Sequence, residues 1–158
     1  LLKKENMKIS SPAFENNSQI PPKYTCDGKN INPLFRWSEV PEGTKSFALI
    51  MDDPDVPRNL RPDGMFVHWV LWNISPETNL IDENSVPLGA IVGATTRGQN
   101  AYIGPCPPDR EHRYFFKLYA LDIKLNLSPN TIKSGLLEAM ANHVLAEAEL
   151  IGLYSRVK

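Results

Sequence analysis

Two stretches of the chain gather the side chains best suited to acid–base or anion chemistry. Asp52-Asp53-Pro54-Asp55-Val56-Pro57 is followed by His68-Trp69, and Gly104-Pro105-Cys106-Pro107-Pro108 is followed by His112-Arg113-Tyr114. Together they hold two of the three histidines, several closely spaced carboxylates, and loop backbone fixed by proline. Asp53, His68, His112 and Tyr114 would make a set of two imidazoles, a carboxylate and a phenol. Such a set suits a small anion, above all a phosphate, whose oxygens only accept hydrogen bonds. A carboxylate beside an imidazole stabilises the imidazolium, so Asp53 near His68 is expected to keep that ring charged near neutral pH. Tyr114, two residues beyond His112, falls on the same strand face.

The same residues carry other readings. Two histidines and an aspartate form a facial set for zinc or iron, although the spacings match no compact metal motif. Cys106 near His112 has the makings of a nucleophile and base, and a pocket histidine acting as general base would make a hydrolase. Taken singly, His68 reads as a core histidine satisfied by one hydrogen bond. Asp52, Asp53 and Asp55 read as turn-capping carboxylates, since aspartate before proline initiates turns. Arg58 and Arg61 could guide an anion or simply sit in a solvated loop. His143 reads as a helix-packing or surface residue.

These groups must be held by a scaffold, and the scaffold reads as β. Ser46–Met51 is a continuous apolar run ending at the Asp-Pro turn, Phe66–Ile74 mixes aromatic and branched residues, and Arg113–Leu121 has the same character. Leu34–Trp37 is a shorter fourth strand. Fully apolar strands are covered on both faces, as in a sandwich core. The first two long strands are sequential and are expected to be neighbours. After Ser128-Pro129, Ile132, Leu136, Leu137, Met140 and Val144 recur at helical spacing and predict one helix over Ile132–Leu145. Ala146 to Tyr154 then alternates with period two and predicts a final strand, with a helix extended to Glu149 as the competing reading. The 14 prolines cluster at segment ends, where a residue lacking an N–H belongs.

Composition narrows the function classes. A length of 158 residues suits a single domain with a sizeable core, and 42% hydrophobic with 22% charged residues is ordinary for a globular protein. A formal charge of −1 with scattered basic residues gives no nucleic-acid surface and no polybasic membrane patch. No apolar run is long enough to span a membrane. The first residues, Leu1-Leu-Lys-Lys-Glu5, lack the apolar core of a signal peptide, which favours a cytoplasmic protein; an upstream segment is open, because residue 1 is not methionine. Cys26 and Cys106 form no disulfide-rich framework or zinc ribbon, and without an export signal they are expected to be reduced thiols, a single bridge being the alternative.

The ordered set Tyr24-Thr-Cys-Asp-Gly28, Asn32-Pro33, Trp37, Asp53-Pro-Asp-Val-Pro57, His68-Trp69, Gly104-Pro-Cys-Pro-Pro108, His112-Arg-Tyr114 and Tyr154-Ser-Arg156 closely resembles the phosphatidylethanolamine-binding protein family, which includes the Raf kinase inhibitor proteins. The resemblance runs from about Met7 to Arg156 and is nearest to the family's short bacterial branch. It implies a mostly β protein: a two-sheet, largely antiparallel β-sandwich with Greek-key-like connections, one helix near the C-terminus, and a small anion pocket at one end. It assigns Asp53, His68, His112 and Tyr114 to that pocket and Gly104, Pro105, Cys106 and Pro108 to its loop wall, with no metal and no cofactor. The implied ligands are phosphate, acetate or a phosphorylethanolamine-like headgroup. The partners the resemblance suggests are a kinase or other phosphoprotein and a second copy of the chain in a homodimer; a second reading makes the chain a protein-interaction module whose rim, around Arg58, Arg61 and Arg110, grips a phosphorylated partner. An aspartate in an anion pocket is reconciled if Asp53 holds a proton or anchors His68 as the imidazolium that faces the ligand. The sequence departs from the family pattern at Val56, at Asp109-Arg110-Glu111 and at Gln99-Asn-Ala-Tyr102. It also stops near the final strand, which is expected to leave the pocket more open.

Overall fold

The computed structural model describes residues 6–156, so the reading of residues 1–5 lies outside it. The chain runs β1 (Lys8–Ser10), β2 (Ser18–Gln19), a 3-10 turn (Pro22–Tyr24), β3 (Phe35–Ser38), β4 (Ser46–Asp53), β5 (Phe66–Ile74), β6 (Leu80–Ile81), β7 (Ile91–Val92), β8 (His112–Leu121), α1 (Lys133–Met140) and β9 (Val144–Tyr154). Two sheets form, one ordered β1-β3-β6 and the other β2-β9-β8-β4-β5-β7. All pairings are antiparallel except β2 with β9. In the larger sheet β8 returns beside β4 after β4, β5 and β7 have been laid down, which is the Greek-key order. Its edge strands β2 and β7 are two residues each, a length that offers little template for pairing with another chain.

The long strands fall where the apolar runs placed them, and β4 shows why they are so apolar. Every one of its residues is buried. Phe47, Leu49 and Met51 face the smaller sheet, packing with Phe35, Trp37, Trp69, Leu71, Phe116 and Leu118. Ala48 and Ile50 face the other way, with Val70, Trp72, Leu136 and Met140. The second layer is thus supplied by α1 and the Leu125 segment rather than by a sheet. Asp52 anchors that layer: its Oδ2 accepts from Lys133 of α1 at 2.6 Å and from Lys117 of β8 at 3.5 Å.

Three readings need correction. The helix ends at Met140, five residues before Leu145, because Asn142 turns the chain at φ 69° and β9 then begins at Val144. His143 consequently lies after the helix, its Nδ1 2.8 Å from Asp122 Oδ1 at the surface. The strand β4 continues past Met51 through an irregularity in its pairing with β5, so Asp52 and Asp53 are strand residues and not its mouth. Finally, Cys26 and Cys106 are not free thiols but a disulfide, with Cα atoms 5.5 Å apart. Spacing in sequence carried no sign of this, since the two loops meet only through the fold.

Closing a loop of this length stabilises a fold by about 4–5 kcal/mol on the chain-entropy view, against the roughly 2–5 kcal/mol usually lost when a native disulfide is removed. The double substitution Cys26→Ser/Cys106→Ser should therefore lower the midpoint of thermal unfolding by about 5–15 °C. A reductant should shift the parent protein by the same amount and leave the double variant unmoved.

Candidate functional site

The end of the sandwich where β4, β5 and β8 meet opens into a cavity of about 370 Å³. Asp53, His68, Gly104, Cys106, Pro108, His112 and Tyr114 all line it, as does Cys26 through the disulfide. Pro105 is buried just behind the wall, where its carbonyl accepts the Cys26 N–H at 3.1 Å. The sequence therefore brought together seven of its eight candidate positions in one cavity, the eighth supporting it from behind.

The wall is tied down from both sides. Tyr102 donates its hydroxyl to the Tyr24 carbonyl at 2.8 Å, and Gly104 donates its N–H to Asn30 Oδ1 at 2.8 Å. Asn30 itself sits at φ 60°, a conformation asparagine tolerates better than most residues. A Cβ on Gly104 would lie 2.3 Å from that Oδ1 and 2.5 Å from the Tyr24 carbonyl oxygen, so only glycine lets the two loops approach.

Charge pairing inside the cavity differs from the expected scheme. Asp53 bonds His112, not His68: Oδ2 lies 2.6 Å from His112 Nδ1, while Oδ1 accepts the Asp55 N–H at 2.8 Å. Asp53 thus caps the turn at Asp55 and also lines the cavity. On its other side His112 Nε2 lies 2.7 Å from Asp109 Oδ1. Two contacts this short need two protons shared among the three groups. The triad then carries one net negative charge, and no N–H of His112 is left to point at a ligand. Burial pushes the Asp53 carboxyl above its ordinary range, partly offset by the His112 bond. The bond to His112 holds Asp109 below its own range.

His68 is set differently. Its Nδ1 is 2.6 Å from the Ile103 carbonyl, which can only accept, so Nδ1 carries the proton. Burial lowers its pKa to about 4, which makes the ring neutral at physiological pH and overturns the imidazolium assigned to it. Among the described residues, Nε2 has no hydrogen-bond partner. The ring meets Tyr114 edge-on at a centroid distance of 5.3 Å. Tyr114 is wholly buried, its hydroxyl has no partner, and burial pushes its pKa well up, so it remains an O–H donor.

The cationic side of the site was only half legible. Arg61 and Arg97 both lie over the Phe66 ring, each 5.6 Å from its centroid, and all three line the cavity. Arg97 and Phe66 were missed because neither belongs to a motif; the turn at Gly98 (φ 77°) beside Arg97 was the available hint. Arg58 instead bonds the Pro62 carbonyl, and Arg110 bonds the Asp55 and Glu111 carbonyls. Asp55 is held by Arg113 through bonds of 2.8–2.9 Å, which depress its carboxyl. Cys106, as half of a disulfide, offers no thiolate. With both His112 nitrogens engaged, the two-histidine facial metal set is not assembled, and among the described residues no group of three metal-ligating side chains is arranged for an ion.

A two-sheet β protein whose single-helix sandwich carries a histidine- and tyrosine-lined cavity at one end defines a recognisable class. The chain belongs to the phosphatidylethanolamine-binding protein family, whose model matches residues 10–155. It is 47% identical to a protein designated UPF0098 from the archaeon Methanothermobacter thermautotrophicus, covering 95% of this chain and 99% of that one. A crystal structure of a phosphatidylethanolamine-binding protein homologue, CT736 from Chlamydia trachomatis, superposes with a TM-score of 0.93 at 42% identity, covering 98% of this chain and 100% of that one. Escherichia coli YbcL, described as a new member of the mammalian family, gives 0.87 at 29% identity over 96% and 99% of the two chains.

His68 sets the acid sensitivity of the site. Its pKa in the folded protein, about 4, lies below the unfolded value of about 6.5. The unfolded chain therefore takes up the extra proton, and stability falls as pH drops from about 6.5 towards 4, by an amount on the order of 2–3 kcal/mol. In His68→Gln this component of the pH–stability curve, measured by denaturant unfolding, should disappear.

Proposed function

We propose that the cavity binds a small phosphate-like oxyanion, free or as the headgroup of a larger molecule, without transforming it. The observation that carries this reading is the Tyr114 hydroxyl: fully buried, unpartnered, and lining a cavity flanked by Arg61 and Arg97. A buried donor left unsatisfied costs stability, and such groups in native proteins call for a ligand or water to complete them. The arginines supply the positive field that the His112 triad does not. The family's printed name points to the same headgroup chemistry.

A hydrolase is less well supported. His112 has no free lone pair to act as base, and Cys106 has no thiolate. The same anion chemistry would grip a phosphorylated side chain, and modulation of a kinase belongs to that extension of the proposal. A cytoplasmic location fits less easily with the Cys26–Cys106 bridge, since disulfides persist mainly in oxidising compartments and in hyperthermophile cytosols.

Calorimetric titration with inorganic phosphate near pH 6 tests the assignment. Tyr114→Phe should weaken binding about tenfold, the effect of one hydrogen bond to a charged group. Asp109→Ala should strengthen it by a similar factor, because it frees His112 Nε2–H and removes a negative charge beside the cavity. Equal affinity in the parent and Tyr114→Phe would remove the cavity from consideration as the anion site.

A further inference from the structure

A second cavity, of about 520 Å³, lies on the other face of the larger sheet, between β5 and the start of α1. Its size falls within the roughly 300–1,000 Å³ of small-molecule sites. β5 divides it from the cavity described above: Phe66 lines that one, whereas its neighbour Val67 points to the opposite face and lines this one. Met65, Ile132 and Leu137 complete the apolar part of the lining. Ile132 and Leu137 are 53% and 39% exposed, so hydrocarbon laid in the cavity would take both out of water.

The polar part of the lining holds donors that nothing accepts. Thr95 is only 2% exposed; its hydroxyl oxygen accepts the Gln99 N–H at 3.2 Å, but among the described residues its hydrogen has no acceptor. Thr96 likewise accepts, from the Val67 N–H at 2.7 Å, and donates to nothing described. Ile132 stands at the cap position of α1 and cannot cap it, so the N–H groups of Lys133 and Ser134 have no partner among the described residues. Lys133 Nζ lies 2.6 Å from Asp52 Oδ2, which also takes Lys117 at 3.5 Å, so two ammonium groups draw on one buried carboxylate. The acid in the lining, Asp63, is exposed, and its Oδ1 accepts the Met65 N–H. Water and salt screen its charge more than that of Lys133, whose side chain is 20% exposed.

We propose that this cavity is a second binding site, for a small amphiphilic carboxylate of the fatty-acid type. The hydrocarbon lies on Met65, Val67, Ile132 and Leu137, and the carboxylate meets the Thr95 hydroxyl, Lys133 and the first turn of α1. A buried hydroxyl left without an acceptor costs stability. A carboxylate supplies acceptors without adding a donor, and its charge suits both Lys133 and a helix N-terminus.

The experiment is an NMR titration of the intact, 13C- and 15N-labelled protein with octanoate and, separately, with octanol. The expected result is saturable shifts at the Met65, Val67 and Leu137 methyl groups and the Ser134 amide, with none at His68 or Tyr114. Octanol should bind about tenfold more weakly, the effect of losing a hydrogen bond to a charged group. Lys133→Gln should weaken octanoate by a similar factor and leave octanol unmoved. Because Lys133 also holds Asp52, Leu137→Glu, at an exposed helix position, supplies a variant that keeps the fold and repels octanoate. Octanol bound as tightly as octanoate overturns the carboxylate assignment. Shifts confined to His68 and Tyr114, or no saturable shift at all, overturn the site itself.

Discussion

Strand β4 has no face left for water, and that fact decides what its polar end can do. Side chains alternate across a strand, so the adjacent carboxylates Asp52 and Asp53 emerge on opposite sides of the larger sheet, each into a buried layer. An unpaired charge in such a place is costly, and each is matched separately. Asp52 takes two lysines and thereby pins α1 to the sheet. Asp53 takes His112 and thereby fixes the polar floor of the cavity. One peptide bond thus joins the fastening of the helix to the organisation of the site.

The cavity itself is governed less by net charge than by which hydrogen-bonding atoms are already committed. Listing its residue types suggests a ring of donors; tracing atoms to their partners removes both His112 nitrogens and the Gly104 N–H, leaving the Tyr114 hydroxyl, His68 Nε2 and the guanidinium groups of Arg61 and Arg97. Asp109, part of the Asp-Arg-Glu segment that departs from the family pattern, accounts for part of the difference, because its carboxylate occupies His112 Nε2.

How much was legible follows from the range of the interactions involved. Strands such as Phe66–Ile74 announce themselves by local apolar patterning, and β5 has those bounds. The final strand was readable from its two-residue period, whereas the helix was overextended because helical spacing of apolar residues continues past Asn142, whose left-handed backbone stops it. The cavity's membership was readable because the motifs carry the residues in order. The pairings within it were not: Asp53 has His112 and His68 near the same cavity, and only the register of β4 against β8, opposite a bulged pairing with β5, selects His112. The disulfide and the Arg61–Phe66–Arg97 stack join loops that are far apart in sequence and share no spacing signature.

The parallel pairing of β2 with β9 sets an order on how the molecule can be assembled. Ser18 and Gln19 lie against Gly152 and Leu153, and Asn16 caps the Ile151 N–H across 135 positions of sequence. On a ribosome the β2 segment is made before β9, so its place in the sheet does not exist until β9 has emerged. Cys106 is available to Cys26 well before that. Translation therefore delivers a chain that can be stapled around the cavity wall while β2 still lacks its partner strand, and the six-stranded sheet is completed only when β9 arrives.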